Sequence, residues 1–353
     1  MRNKSLVNIS LGLIALAFAL GVGEISTRLI FKDTTVLYPR YHTDYKYGRY
    51  TLRGTRPNTE FWHTSIDGSW KFVTNSKGFR NTQEFAYEKP SGTLRVMVLG
   101  DSHTQGHEAR QEATFSAVAE RYLDQHLGKS EVINTGVSGF SNAEELVFLE
   151  NEGVKYHPDV VVLGFFANDF EDNLKAGLFE LDDTSRLVEK KYIHVPGVGI
   201  QKAINAIPPM RWISENSYFY SMLFNGVWSY FKNNLAKQAK SSALQNAGKQ
   251  IDTIEQFEPE YAVSRSDRYT PQQLELAAAL IDRMQMFCIG NGMQFILVDI
   301  PQAKGRFSFK SSLPEQLAQR LKKEMIEFVP SHVLLDDYSG SVDFHVPHAH
   351  LLQ

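Results

Sequence analysis

The chain has 353 residues, of which 42% are hydrophobic and 22% are charged, with a formal net charge of −3. This composition is that of a globular protein with a sizeable core, and the small negative charge gives no electrostatic reason to expect a nucleic-acid partner. The single cysteine, Cys288, excludes an intramolecular disulfide, and its place in an apolar helical pattern predicts a buried, inert thiol.

The first distinctive element is an apolar segment near the N-terminus. Residues 5–23 carry no charge and follow Arg2 and Lys4. As a helix this segment spans about 28 Å, close to the hydrocarbon thickness of a bilayer. A secretory signal peptide and an uncleaved anchor both fit the pattern, and the lack of a clean cleavage site favours an anchor over residues 1–32. The basic start predicts that the N-terminus stays inside and that the rest is extracytoplasmic, in the periplasm or at the cell surface.

Residues 33–90 show little hydrophobic periodicity. Within them, the sequence TNSKGFRN (residues 74–81) predicts a turn, because Asn and Gly tolerate the left-handed backbone region. We expect residues 33–90 to be a lead-in that wraps the core rather than a separate domain.

A regular alternation of strands and helices begins at Leu94. Apolar runs predict strands over residues 94–100, 131–134, 158–166, 293–300 and 332–335. Helical spacing predicts intervening helices around residues 115–127, 142–152, 270–284 and 314–328, the first ended by Gly128 and the third opened by Thr270 and Pro271. Because the strands are apolar throughout and alternate with helices, we expect a parallel sheet covered on both faces, in one α/β domain over residues 91–353.

An insertion of about residues 171–269 separates the third and fourth predicted strands. It contains SYFYSMLFNGVWSYF (residues 217–231), in which seven of fifteen residues are aromatic. Three interpretations remain open for this segment. The first is a lid over an acyl or sugar pocket, the second is a helix packed on the sheet, and the third is a helix that lies against the membrane.

The chemically distinctive residues follow the predicted strands at their carboxyl ends, where open parallel sheets bind ligands. The four loops concerned are residues 100–103, 134–141, 166–173 and 341–350. One edge of the sheet is therefore the predicted site.

These loops contain the groups that a serine hydrolase needs. Ser102 is the candidate nucleophile, His345 the candidate general base, and Asp343 the carboxylate that orients the base. The candidate oxyanion donors are the backbone N–H groups of Ser102 and Gly139 and the side-chain amide of Asn168. No cofactor or metal is required by this set.

The same residues resemble the SGNH (GDSL-type) hydrolase superfamily. Its sequence blocks are matched by Gly100-Asp101-Ser102, Asn134-x-Gly136-x-x-Gly139, Gly164-x-x-x-Asn168-Asp169 and Asp343-x-His345. The sequence TNSKGFR (residues 74–80) and the stretch EISTRLI (residues 24–30) at the end of the N-terminal segment also resemble its membrane-anchored bacterial members. The resemblance implies a flavodoxin-like three-layer α/β/α sandwich that hydrolyses esters, or transfers acyl groups, without a metal. It also implies substrates such as acetylated glycans, lipids or thioesters, and an O-acyltransferase would use the same triad.

Other interpretations of the same edge differ in their chemistry. Asp101 and His103 could begin a metallophosphoesterase site continued by Asn168 and Asp169, with imidazoles from His345, His348 and His350. A non-catalytic glycan-binding protein would keep the fold without turnover. His348 is an alternative general base, because the last block departs from the family pattern there. His103 and His107 are expected to be exposed loop or rim residues, with substrate contact as the alternative.

Overall fold

The computed structural model describes residues 2–32, 35, 37, 41–65, 68–190, 203, 206–224, 226–227, 269–305 and 308–335. The strands are β1 (His42–Tyr47), β2 (Tyr50–Thr55), β3 (Glu60–Ser65), β4 (Gly68–Val73), β5 (Leu94–Gly100), β6 (Ser130–Asn134), β7 (Val160–Phe165), β8 (Phe179–Leu181), β9 (Leu187–Glu189), β10 (Gln294–Asp299), β11 (Gln302–Gly305), β12 (Ser308–Lys310) and β13 (Phe328–Val329). The helices are α1 (Arg2–Ile30), α2 (Ser102–Gln105), α3 (Phe115–Leu127), α4 (Asn142–Asn151), α5 (Asp169–Ala176), α6 (Pro208–Asn216), α7 (Pro271–Gly290), α8 (Glu315–Lys323) and α9 (Ser331–Leu335).

The chain divides into two compact units. The sheet unit contains Tyr41–Glu60, Lys71–Lys202 and Tyr261–Gln353. The helical unit contains Met1–Arg40, Phe61–Trp70 and Ala203–Glu260.

The centre of the sheet unit is a five-stranded sheet in the order β13-β10-β7-β5-β6, and every pair in it is parallel. Numbered along the chain, these five strands therefore lie in the order 2-1-3-4-5, which is the flavodoxin-like order. Strand β5 has β6 on one side and β7 on the other. The switch point, where the direction of strand addition reverses, lies between β5 and β7.

Alternate residues of the strands pack on opposite faces of this sheet, as the two-residue period of a strand requires. On one face Met97 and Ile133 join a core formed with helices α4, α5 and α7. On the other face Val96 and Val132 pack near Phe115 of α3. The arrangement is a three-layer α/β/α sandwich, as predicted.

The helices of the sheet unit begin within one residue of the predicted positions for α3, α4, α7 and α8, but α7 extends to Gly290 and α8 ends at Lys323, before the strand at Phe328–Val329. Thr270 caps α7, since its side chain accepts a hydrogen bond from the Gln273 N–H, and Pro271 occupies the first turn. Gly128 ends α3. Cys288 is buried in the core, and its burial raises the pKa of its thiol to about 12, as expected for an inert cysteine.

The last predicted strand is wrong. The structure places the edge strand at Phe328–Val329, and Ser331–Leu335 form a short helix instead. Pro330 ends the strand because it has no N–H to donate to the ladder. The Ser331 N–H then donates to Asp299 Oδ2 at 3.0 Å, which starts the helix against the neighbouring strand β10.

The lead-in contains strands that the sequence pattern did not reveal. Strands β1 and β2 form an antiparallel hairpin with Tyr47 opposite Tyr50, and β3 pairs with β4. The turn predicted in TNSKGFRN is confirmed, since the Gly78 N–H donates to the Asn75 carbonyl at 3.0 Å and Gly78 has a φ of +79°.

The helical unit contains α1, whose residues Leu6–Ile30 are long and apolar enough to cross a membrane. An 18-residue window of this segment has a mean hydropathy of 2.2, and none of that window is buried. The same unit contains α6 and a second helical stretch over residues 218–224 from the insertion.

Candidate active site

Three of the predicted site residues lie on adjacent loops at the carboxyl edge of the sheet. Ser102 follows β5 and begins α2, Gly139 lies in the loop after β6, and Asn168 follows β7. Since β5 lies between β6 and β7, the loop of Ser102 has that of Gly139 on one side and that of Asn168 on the other, and the switch point lies between Ser102 and Asn168. The predicted base His345 and its partner Asp343 lie outside the described residues.

Two glycines allow α2, the helix that carries Ser102, to sit close to the sheet. A Cβ at Gly100 would lie 2.0 Å from Thr104 Oγ1, and a Cβ at Gly164 would lie 2.3 Å from the same atom. Gly100 also has a φ of +151°, which side-chain-bearing residues rarely adopt. Because these glycines face each other in the register of β5 and β7, one threonine hydroxyl fills the space above both.

The second motif holds the other side of α2. The Asn134 Nδ2 donates to the Thr104 carbonyl at 3.0 Å, and its Oδ1 accepts from the Gly136 N–H at 3.1 Å. A Cβ at Gly136 would lie 2.5 Å from the Gln105 backbone nitrogen. Asn134 and Gly136 therefore fix the position of the helix and do not themselves point to a role in chemistry.

Arg80, from the turn motif of the lead-in, supports the segment after α2. It is almost fully buried, and its guanidinium donates to the carbonyls of Gln105, Gly106 and Ala109. Its planar fork suits several carbonyl acceptors at once. The sequence indicated only a turn here, and nothing in its pattern revealed this contact.

The predicted oxyanion loop is a tight turn over residues 137–140. The Phe140 N–H donates to the Val137 carbonyl at 3.0 Å, and Gly139 has a φ of +79°. The turn itself uses the N–H of Phe140 and not that of Gly139. The carbonyl of Gly139 accepts a hydrogen bond from Arg53 Nη2 at 2.8 Å. Arg53 comes from β2 and is a support that the sequence did not reveal.

Asn168 links two carboxylates. Its Nδ2 lies 3.2 Å from Asp101 Oδ2 and 3.0 Å from Asp172 Oδ2, so both amide hydrogens are directed at acidic oxygens. The contact with Asp101 brings the amide next to the residue that precedes Ser102. For Asn168 to donate to an oxyanion, one of these two bonds has to be exchanged, and the bond to Asp101 is the longer.

Asp101 caps α2, since its Oδ1 accepts from the His103 N–H at 2.8 Å. The His103 ring is buried, with Nδ1 3.2 Å from Asp101 Oδ1 and its centre 3.9 Å from that of Phe166. His107 is also buried, with Nδ1 2.7 Å from the Tyr41 hydroxyl. The expectation that both histidines are exposed is wrong, because each packs on an aromatic side chain.

The residues of the metal interpretation have structural partners here. The carboxylate of Asp101 contacts the His103 N–H and the Asn168 amide. The carboxylate of Asp169 accepts from the Phe166 N–H at 3.0 Å, at the start of α5. The imidazoles of that interpretation, beyond residue 335, lie outside the described residues.

Acidic residues of α4 and α5 lie buried behind this edge. Burial raises the pKa values of Glu145 and Asp169 well above their usual range, and the proximity of the two carboxyls to each other adds to the rise at Asp169. Burial also raises the pKa of Glu144 to about 7, against the opposing effect of the Arg53 guanidinium. Protonated carboxyls reduce the negative charge that would otherwise oppose an oxyanion nearby.

Comparison with known proteins adds a family. The family model of GDSL-like lipases and acylhydrolases matches residues 96–312, more than half of the chain. Comparison with curated proteins gives no match.

Solved structures similar to the chain include TesA, with 12% identity over 73% of this chain and 89% of TesA, and a TM-score of 0.35. AlinE4, an SGNH-hydrolase family esterase, has 12% identity over 74% and 88% of the two chains and a TM-score of 0.35. A lipase/acylhydrolase from Enterococcus faecalis has 16% identity over 74% and 88%, with a TM-score of 0.36. These scores are too low to carry an argument, so the assignment depends on the family model, and by that match the chain belongs to the GDSL-like lipase/acylhydrolase family.

Proposed function

We propose that the protein is a membrane-anchored, extracytoplasmic serine esterase that acts through an acyl-enzyme on an ester-bearing substrate, with O-acetylated glycans as the candidate class. The observation that supports this most is the position of Ser102. It is partly exposed, follows β5 directly at the switch point, and has Gly139 and Asn168 in the two flanking loops. The choice of glycans as the candidate substrate class rests on the proposed extracytoplasmic location and on the family resemblance.

In the proposed mechanism, Ser102 Oγ attacks the ester carbonyl while His345 takes its proton. Asp343 holds the imidazole in the correct tautomer. His345 then returns the proton to the leaving alcohol, which breaks the ester bond and leaves the acyl group on Ser102. Water, activated by the same imidazole, attacks this second ester and restores the free serine.

The negative charge that develops on the carbonyl oxygen needs donors. The proposed donors are the N–H groups of Ser102 and Gly139 and the amide of Asn168, each contributing about 3 kcal/mol to lowering the barrier. The turn that gives Gly139 its positive φ leaves its N–H outside the turn's own hydrogen bond.

The test is the intact mass of the full-length protein after incubation with a fluorophosphonate, which reacts with activated serines. We expect one adduct on the wild-type chain and none on Ser102→Ala. Ser91→Ala is the control, because Ser91 is an exposed serine outside the four loops of the predicted site; it keeps the adduct. His345→Ala loses labelling and His348→Ala retains it. An adduct that survives Ser102→Ala, or a wild-type chain that is never labelled, contradicts the proposal.

A further inference from the structure

The end of α1 is joined to the insertion by one carboxylate. Glu24 Oε2 accepts from Ser217 Oγ at 2.7 Å and from the Phe219 N–H at 3.0 Å, while Oε1 accepts from the Tyr218 N–H at 3.1 Å. These backbone donors belong to the first turn of the helix over residues 218–224, where they lack partners within the helix. Glu24 therefore caps a helix of the insertion from within the apolar N-terminal helix.

Neighbouring residues add to these contacts between Glu24 and residues 217–219, which we call the joint. Arg28 contacts Glu24 at 2.6 Å and donates to the Asn216 carbonyl at 2.8 Å. Its guanidinium also lies 4.8 Å from the centre of the Tyr218 ring. A Cβ at Gly23 would lie 3.1 Å from the Phe219 ring, so a larger residue there would require the ring to shift by a few tenths of an ångström. The carboxylate of Glu24 is therefore paired with the Arg28 guanidinium as well as with the three donors of the insertion.

The surface around this joint is apolar on both partners. On α1, Ile25 and Leu29 face away from the joint and are exposed. On the insertion, Trp212 of α6 is 64% exposed, and Leu223 and Val227, four residues apart, are 49% and 55% exposed. An exposed apolar surface continuous with a membrane-spanning helix is typical of contact with lipid.

The length of α1 indicates where this surface lies. Its 29 residues extend about 44 Å, against roughly 30 Å for the hydrocarbon core, so the last turns reach the headgroup layer. Tryptophan and tyrosine are enriched at that level because one part of the ring is apolar and another is polar.

We propose that α6 and the helical residues 218–224, 226 and 227 form an interfacial platform that lies in the headgroup layer of the bilayer, held beside the anchor by Glu24. The partner of this surface is the lipid itself. The proposal does not depend on the esterase activity, because it uses contacts within the helical unit alone.

The test is the depth of spin labels in the full-length protein, reconstituted into vesicles of phosphatidylethanolamine and phosphatidylglycerol. Trp212→Cys and Leu223→Cys introduce labelling sites, and the buried native Cys288 leaves the background unlabelled. Leu127→Cys is the matched control, since Leu127 is an equally exposed apolar residue of the sheet unit. We expect oxygen to reach labels 212 and 223 several-fold better, relative to a water-soluble nickel chelate, than it reaches label 127.

Two outcomes overturn the proposal. If labels 212 and 223 are as accessible to the nickel chelate as label 127, the surface faces water. If both are shielded from oxygen and from nickel, they are covered by protein.

Replacing Glu24 tests the joint separately. Glu24→Ala, combined with Leu223→Cys, removes all three bonds accepted from the insertion and brings the oxygen-to-nickel ratio down to that of label 127. Glu24→Gln keeps an acceptor oxygen and gives an intermediate ratio. A ratio unchanged in Glu24→Ala shows that Glu24 does not hold the platform, and labels 212 and 223 in the native background still decide the lipid contact if that variant fails to fold.

Discussion

The amide of Asn168 bridges Asp101 and Asp172, so it is well ordered before any substrate arrives. In the proposed role of oxyanion donor, this amide acts mainly in the transition state. We expect Asn168→Ala to lower kcat by about 10²- to 10³-fold with little change in KM. Steady-state kinetics on a chromogenic ester provide the measurement. If the loss of activity is matched by a loss of unfolding free energy, Asn168 is only structural.

The raised pKa of Glu144 makes stability depend on pH. Because its folded-state pKa of about 7 lies above the usual 4.5, the native state binds the proton more tightly than the unfolded state. Stability from this residue is therefore fully present below pH 4.5 and is lost as the pH rises towards 7.

We expect Glu144→Gln to reduce this decline in stability with pH, because a glutamine side chain does not titrate. The glutamine can still accept a hydrogen bond from the Ser141 N–H, which Glu144 now binds. Urea unfolding at several pH values between 5 and 8, chosen around the pKa of about 7, measures it. Glu180→Gln, at an exposed glutamate of β8, is the control and leaves the slope unchanged. A slope in Glu144→Gln identical to that of the wild type contradicts the assignment.

Residue types singled out candidate positions at this edge of the sheet, but they did not predict what these residues contact. Glycine at 100, 136 and 164 marks close approach, yet only the structure shows that all three make room for α2. The burial of His103 and His107 could not be predicted, because a polar residue reveals nothing of the aromatic partner that covers it. Arg53 and Arg80 come from the lead-in, far along the chain from the loops they support.

At the scale of elements, α7 tests how much a cap contributes. Thr270 and Gln273 exchange reciprocal hydrogen bonds, from the Gln273 N–H to Thr270 Oγ1 and from the Thr270 N–H to Gln273 Oε1. We expect Thr270→Ala to lower the free energy of unfolding by about 1 kcal/mol and Thr270→Ser to lower it far less. Urea denaturation measures both, and equal losses in the two variants would exclude the cap as the cause.

The elements with the strongest hydrophobic period were predicted within one or two residues, as for β5, β7 and α4. Their pattern comes directly from burial on both faces of the sheet. Strands β1 to β4 were missed because their hairpins are short and rich in polar residues. The edge strand was misplaced because its two residues are too few to show a period, and Pro330 rather than the apolar run decides where it ends.

For the whole molecule, the prediction concerns topology. The basic start before the apolar helix predicts an orientation with the N-terminus inside, so the sheet unit is expected outside. A membrane-impermeant maleimide applied to intact spheroplasts should label Leu127→Cys, because this position is exposed and the native Cys288 is buried. Asn3→Cys should react only after lysis. The reverse pattern would place the sheet unit in the cytoplasm.

Fold class followed from the sequence, while the strand order did not. Alternating strands and helices predict a parallel sheet, but the 2-1-3-4-5 order that brings Ser102, Gly139 and Asn168 to one switch point came from the family resemblance. The division into two units was also beyond sequence patterns, since each unit combines segments that are distant in the chain.

The hydroxyl of Thr104, lodged between Gly100 and Gly164, constrains the order in which these positions can evolve. An alanine at 164 would meet mainly that hydroxyl, so it becomes tolerable once Thr104 has been replaced by alanine. An alanine at 100 would still meet the Cβ of residue 104 at 2.6 Å and would keep an unfavourable φ. Gly164 can therefore be replaced after a first change at Thr104, whereas Gly100 cannot. We expect this asymmetry to appear as a large coupling energy between positions 104 and 164 in a double-mutant cycle of unfolding free energies.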